Sequence, residues 1–227
     1  MFVRFIISLF VIFYAVNSPA KNFSKRYYGF HLCDKSDFTC KRVERGHTWE
    51  NLYPNESHRT IVKKLNRTNI PLRHRPYYVE PENLFSASYL EFSPMPLTLD
   101  GHDEKVVLID LSQQAFAAYD SSGNKVHWGP ISGGKAYCPD VGRSCRTVLG
   151  SFRVYRKGGP GCRSRKYDNA PMPYCMFFYK GFAMHGAALP GYHASHGCVR
   201  MFNDDAYWLS KEFVDIGTKV IVTKGFK

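Results

Sequence analysis

Residues 184–201 read Met184-His185-Gly186-Ala187-Ala188-Leu189-Pro190-Gly191-Tyr192-His193-Ala194-Ser195-His196-Gly197-Cys198-Val199-Arg200-Met201. His185, His193 and His196 lie within thirteen residues of Cys198. A thiol at its free pKa is mostly protonated at neutral pH; a nearby imidazole, or backbone N–H groups aimed at the sulfur, makes thiolate. Gly197 lets the backbone come close to a substrate, and the N–H groups around Gly197 and Cys198 are natural donors for an oxyanion. No carboxylate occurs between Asp168 and Asp204, so a local Cys-His-Asp triad is absent. A distant acid or a backbone carbonyl must then orient the base, and a carbonyl does so by accepting from Nδ1–H. As a zinc site, His185, His193, His196 and Cys198 lack a common ligand spacing and a nearby acid. No metal and no cofactor is expected.

Outward from this stretch the chain is strand-rich. Met176–Tyr179 and Phe182–Met184 flank Gly181 as two strands. Upstream, Val106–Leu111 is an apolar strand, Ala115–Tyr119 is read as an alternating strand, and Ser121-Ser122-Gly123-Asn124 as a hairpin-type turn. Val126–Ile131 continues the meander until Gly133-Gly134, and Ser151–Tyr155 alternates again. Downstream, Asn203 is expected to cap a helix over about Asp204–Val214, and Thr218–Thr223 closes as a strand. The fold class is mostly β, a sandwich or partly closed barrel with one main helix.

His185-Gly186 followed by Ser195-His196-Gly197-Cys198-Val199-Arg200, with nine residues between His185 and Ser195, resembles the active-site signature of the YkuD-type L,D-transpeptidases. Phe182-Ala183-Met184-His185-Gly186 is similar to the family's strand leading to the upstream histidine. Thr147-Val148-Leu149-Gly150-Ser151-Phe152 resembles its Thr-Pro-x-Gly-x-Phe segment, with Val148 where Pro is usual. The resemblance implies peptidoglycan chemistry: the cysteine attacks the bond before a D-alanine in a tetrapeptide stem, a thioester forms, and an amine resolves it. It implies Cys198 as nucleophile, His185 as base, the Gly186 carbonyl as its orienter, and Ser195 and His196 as supporting groups. Arg200 and Tyr192 are expected to contact substrate. Carbapenem-type β-lactams are implied as inhibitors. The other readings are an L,D-carboxypeptidase and a non-catalytic wall-binding protein.

Residues 41–81 carry a second pattern. Val43 opens a short strand, Thr48 can cap a helix beginning at Trp49 and Glu50, and Ile61, Val62 and Leu65 share a helical face. Tyr77-Tyr78-Val79 is a strand that Pro81 ends. This β-α-α-β order resembles a LysM module, through Val43, Gly46-His47-Thr48-Trp49, Leu65-Asn66-Arg67-Thr68-Asn69 and Tyr78-Val79-Glu80-Pro81. It departs from that pattern at His47 and Arg75, where Asp and Gly are usual. The implied partner is the glycan strand.

The first twenty residues read as a signal peptide: Arg4, an uncharged apolar run from Phe5 to Val16, then Ser18-Pro19-Ala20. Export to the periplasm or cell wall is expected, with no stable membrane span after cleavage. All seven cysteines follow this leader. Six cysteines allow 15 connectivities; local spacing favours Cys33–Cys40, Cys138–Cys145 and Cys162–Cys175, leaving Cys198 free. The expected organisation is leader 1–20, disulfide-containing arm 21–40, LysM-like module 41–81, linker 82–104 lying on the next domain, and catalytic domain 105–227. The formal net charge is +12, which favours polyanionic or acidic partners. Residues 141–167 hold eight basic residues and no acid. In an exported protein this suits carboxylate-rich stem peptides or anionic wall polymers rather than nucleic acid.

Overall fold

The computed structural model describes residues 23–85 and 88–225; the leader expected at 1–20 lies outside them. The N-terminal part folds around a two-stranded antiparallel sheet, β1 (Phe38–Arg42) against β2 (Tyr77–Pro81). Between them run α1 (Trp49–Leu52) and α2 (Glu56–Leu65). Thr48 and Asn51 exchange side-chain and backbone bonds in a capping box that starts α1. Asn55 caps α2 by accepting from His58 N at 3.0 Å. Ile61, Val62 and Leu65 are buried on one face of α2.

Two expectations for this region are corrected. Val43 is not in a strand, because β1 ends at Arg42 and Val43 N turns to Pro76 O at 3.1 Å. The 40/41 boundary between arm and module falls inside β1. Phe23, Tyr28 and Leu32 of the arm share one core with Trp49, Val62, Leu65 and Tyr77, and Cys33–Cys40 fastens the arm to β1. The segment after β2 lies on the next domain: Tyr89 stacks on Trp128 at 5.9 Å, and Met95 and Leu99 are buried against it.

The C-terminal part is a single nine-stranded mixed sheet. Its strands are β3 (Val106–Asp110), β4 (Ala115–Tyr119), β5 (Lys125–Ser132), β6 (Gly150–Arg153), β7 (Arg156–Lys157), β8 (Met176–Tyr179), β9 (Phe182–Gly186), β10 (Val199–Met201) and β11 (Lys219–Thr223). The order is β6-β11-β3-β4-β5-β10-β9-β8-β7. β3 and β4 are buried along their whole length, as strands covered on both faces are; β4, expected to alternate, has no exposed face. The sheet curls until β6 meets β8, with the Phe152 ring 5.6 Å from Phe178 and 5.0 Å from Tyr179. Inside the curl, Val107, Ile109, Phe116, Met184, Val199 and Met201 pack under Leu209 and Phe213.

The expected helix is present within a residue at each end, but only its first half is α-helical: α3 spans Asn203–Trp208 and continues as a π-helical stretch, Leu209–Phe213. Asn203 is its first residue rather than its cap, and its side chain closes over Gly186, where an added Cβ would lie 2.3 Å from Asn203 Oδ1. Three disulfides are present, Cys33–Cys40, Cys138–Cys145 and Cys162–Cys175. Cys198 is free. Among the described residues no helix is long and apolar enough to cross a membrane.

Candidate active site

β9 and β10 run side by side in parallel, with Arg200 opposite His185. In this register Val199 faces Met184, so Cys198 lies at the start of β10 and His185-Gly186 at the end of β9, diagonally across the ladder. Both His185 and Cys198 line a cleft of about 630 Å³.

His185 is 5% exposed, and its Nδ1–H donates to Gly186 O at 3.0 Å. A carbonyl only accepts, so the proton sits on Nδ1 and Nε2 keeps its lone pair. Burial pushes the imidazole down to about 4, against the Gly186 carbonyl, and Arg200 adds to the lowering. Burial pushes the Cys198 thiol up, while the Ala183 backbone and the Arg200 charge pull the other way. At neutral pH the pair is therefore neutral imidazole and thiol, not a preformed ion pair.

Two expected contacts take a different form. Among the described residues no hydrogen bond joins His185 to Cys198; the thiol donates to Gly181 O at 3.7 Å. The Gly197 N–H is committed to Ser195 Oγ at 3.0 Å, so it is not a free oxyanion donor. The Cys198 N–H, with no acceptor among the described residues, is left for that task. Gly197 has φ +128°, and a Cβ there would lie 2.8 Å from the Phe182 ring. Only glycine makes this turn into the nucleophile without strain.

Ser195 is buried and donates from Oγ to Cys198 O, closing the loop on itself. His196 Nε2 meets Asp140 Oδ2 at 2.6 Å, and its ring packs 4.7 Å from Tyr167. His193 accepts from Gly133 N at 3.1 Å and donates to Leu111 O at 3.0 Å, so both its nitrogens are used. Arg200 lines the cleft and has no ion-pair partner among the described residues. Tyr192 does not line the cleft. Gly191, at φ +90°, turns the chain toward the arm, and Arg26 stacks 3.9 Å over the Tyr192 ring.

Sequence reasoning missed several groups. Thr147 Oγ1 accepts from Gly134 N at 2.9 Å and donates to Gly197 O at 2.8 Å, linking the strand after β5 to the nucleophile turn. Its place in the Thr147–Phe152 segment was the available signal. Asp140, in the Cys138–Cys145 loop, had none. A hairpin stapled by Cys162–Cys175 carries Arg163, Ser164, Arg165, Lys166 and Tyr167 to the cleft wall. Six cations, Arg156, Lys157, Arg163, Arg165, Lys166 and Arg200, line the cleft, and no carboxylate does.

A family model for the L,D-transpeptidase catalytic domain (YkuD) matches residues 104–222. The crystal structure of the L,D-transpeptidase (residues 123–326) from Xylanimonas cellulosilytica is similar at 34% identity and a TM-score of 0.50, over 59% of this chain and 66% of that one. An L,D-transpeptidase from Mycobacterium tuberculosis is similar at 27% identity and a TM-score of 0.44, over 53% of this chain and 57% of that one. L,D-transpeptidase 3 from the same organism, in complex with a faropenem-derived adduct, is similar at 25% identity and a TM-score of 0.42, over 53% and 60%. The chain thus covers less than two thirds of each of these proteins. No curated protein matches the chain.

Proposed function

The chain belongs to the L,D-transpeptidase (YkuD) catalytic-domain family, and on that premise we propose that it is an exported peptidoglycan L,D-transpeptidase with Cys198 as nucleophile. One observation carries the reading: a free thiol and a neutral imidazole, its tautomer held by Gly186 O, share a single cleft. A turn of the Cys198 side chain away from Gly181 O brings the thiol proton to His185 Nε2. The sulfur attacks the carbonyl that precedes D-alanine in a tetrapeptide stem. The Cys198 N–H steadies the oxyanion, and the imidazolium returns the proton to the departing D-alanine amine. An acceptor amine then attacks the thioester, loses its proton to His185, and releases the thiol. Carbapenem-type β-lactams enter the same path and acylate Cys198.

Residues 41–81 are proposed to hold glycan as a LysM-like module. A cleft of about 420 Å³ there is lined by His47, Thr48, Trp49, Lys63, Asn69 and Arg73, whose polar groups suit sugar hydroxyls. Holding the wall this way raises the local concentration of stems. The leader 1–20 is proposed to direct export.

Mass spectrometry of products from purified tetrapeptide muropeptides tests the reading. Loss of D-alanine with gain of a second stem, a protein or a free amine supports transpeptidation. A tripeptide alone makes the protein an L,D-carboxypeptidase, and unchanged substrate refutes both.

A further inference from the structure

The segment from Gly186 to Cys198 connects two neighbouring parallel strands. Such a crossover usually runs through a helix, which satisfies its own backbone. Residues 187–198 contain no helix, so their polar groups need outside partners. The second half finds them in the catalytic domain. Ser132 Oγ donates to Tyr192 O at 2.7 Å and accepts from Ala194 N at 3.0 Å, and Gly133 O accepts from Ala194 and Ser195 N at 3.1 and 3.0 Å.

The first half finds them mostly in the N-terminal module. Asn69 Oδ1 accepts from Leu189 N at 2.8 Å. Thr68 Oγ1 and Asn69 N both donate to Leu189 O, at 2.8 and 3.3 Å. Asn69 Nδ2 reaches Ala187 O at 3.4 Å, Arg75 reaches Pro190 O at 3.4 Å, and Tyr28 N donates to Gly191 O at 2.9 Å. Leu189 is fully buried, so water cannot substitute. The module side of the contact is itself fixed: Asn66 bonds Val62 O, Val79 O and Val79 N, and Trp49 Nε1–H donates to Ile70 O.

We infer that the N-terminal module is a positioning element of the active site, with Asn69 and Thr68 setting the path of the segment that carries Cys198 toward His185. This goes beyond wall targeting and rests on the reading of Cys198 as nucleophile. The catalytic domain has every reacting group and holds residues 192–195 of the loop itself, but most partners of residues 187–191 come from the N-terminal module. Small misplacements of reacting groups cost about 10²-fold in rate.

The test uses the full mature chain and its Asn69→Ala and Thr68→Val variants, with Lys41→Ala, in an exposed ion pair on β1, as control. Hydrogen exchange is read on peptides covering 187–198 and on β3. Carbapenem acylation of Cys198 is read as a maximal rate and a half-saturation concentration. Asn69→Ala is expected to speed exchange in 187–198 at least tenfold with β3 unchanged. Its maximal acylation rate is expected to drop roughly 10- to 100-fold, with half-saturation within about twofold. Lys41→Ala is expected to match the wild type. If Asn69→Ala loses its near-ultraviolet circular dichroism, Thr68→Val, which deletes one hydroxyl, decides instead. Unchanged exchange, or faster exchange with acylation within about twofold of wild type, overturns the inference. A wild type that is not acylated at Cys198 refutes the nucleophile reading and the inference with it, whereas a loss confined to the variants isolates the positioning role.

Discussion

The Lys64 ammonium in α2 lies 2.8 Å from Asp205 Oδ1 in α3, and both side chains are buried. His127 Nε2 meets the same oxygen at 2.8 Å, and Lys64 also donates to Trp128 O at 3.0 Å. Burial pushes the Asp205 carboxyl up, but the Lys64 charge and His127 outweigh it and hold the group below its ordinary value. The N-terminal module and the catalytic domain are therefore joined by a desolvated ion pair, alongside the backbone contacts to Leu189.

Breaking one side of such a pair strands a buried charge. Lys64→Met is expected to cost about 3–5 kcal/mol in urea unfolding. The double change Lys64→Met/Asp205→Leu is expected to recover most of that loss, since two apolar groups replace two charges. A single substitution costing less than about 1 kcal/mol contradicts this account of the interface.

The cleft wall predicts an anionic substrate. Arg163 and Arg165 lie on the stapled hairpin beside Lys166, and no lining residue offsets their charge. Arg163→Gln/Arg165→Gln/Lys166→Gln is expected to raise KM for a tetrapeptide stem about tenfold with kcat within about twofold, as loss of uniform binding does. Added salt is expected to weaken wild-type binding and to move the triple variant less. Steady-state kinetics at two ionic strengths checks both.

The pH dependence follows from the His185–Cys198 environment. The base must be neutral, and burial holds the His185 imidazole down at about 4. Lowering the pH therefore removes activity only as it passes through that value, not near the ordinary histidine range. The Cys198 thiol is pushed up, so it stays protonated at neutral pH. Carbapenem acylation is expected to be flat over about pH 5–8, while alkylation by a simple thiolate-dependent reagent climbs throughout. A break in acylation near pH 6.5 contradicts the assignment.

Much of the sheet is legible in the sequence for a physical reason. β3 and β4 are covered on both faces, so Val106–Asp110 and Ala115–Tyr119 carry almost no polar interruption. The disulfides are legible because each closes a short loop. β7 and β10 are two and three residues long, too short for any periodicity. The Asp140–His196 and Lys64–Asp205 contacts join residues 56 and 141 positions apart, and nothing local marks such partners. Tyr192 lies outside the cleft because Gly191, at φ +90°, turns the chain toward the arm, a turn that no local pattern marks. The arm looked separate because its aromatic residues, Phe23 and Tyr28, find their core only against Tyr77 and its neighbours.

The central claim is that Cys198 carries the covalent chemistry with His185 as its base. Intact-protein mass spectrometry after exposure to a carbapenem tests it most directly. The account predicts one adduct on the wild type, none on Cys198→Ala, and an adduct that forms roughly 10²–10⁴-fold more slowly on His185→Ala. An adduct on Cys198→Ala, or a His185→Ala variant acylated at the wild-type rate, contradicts it.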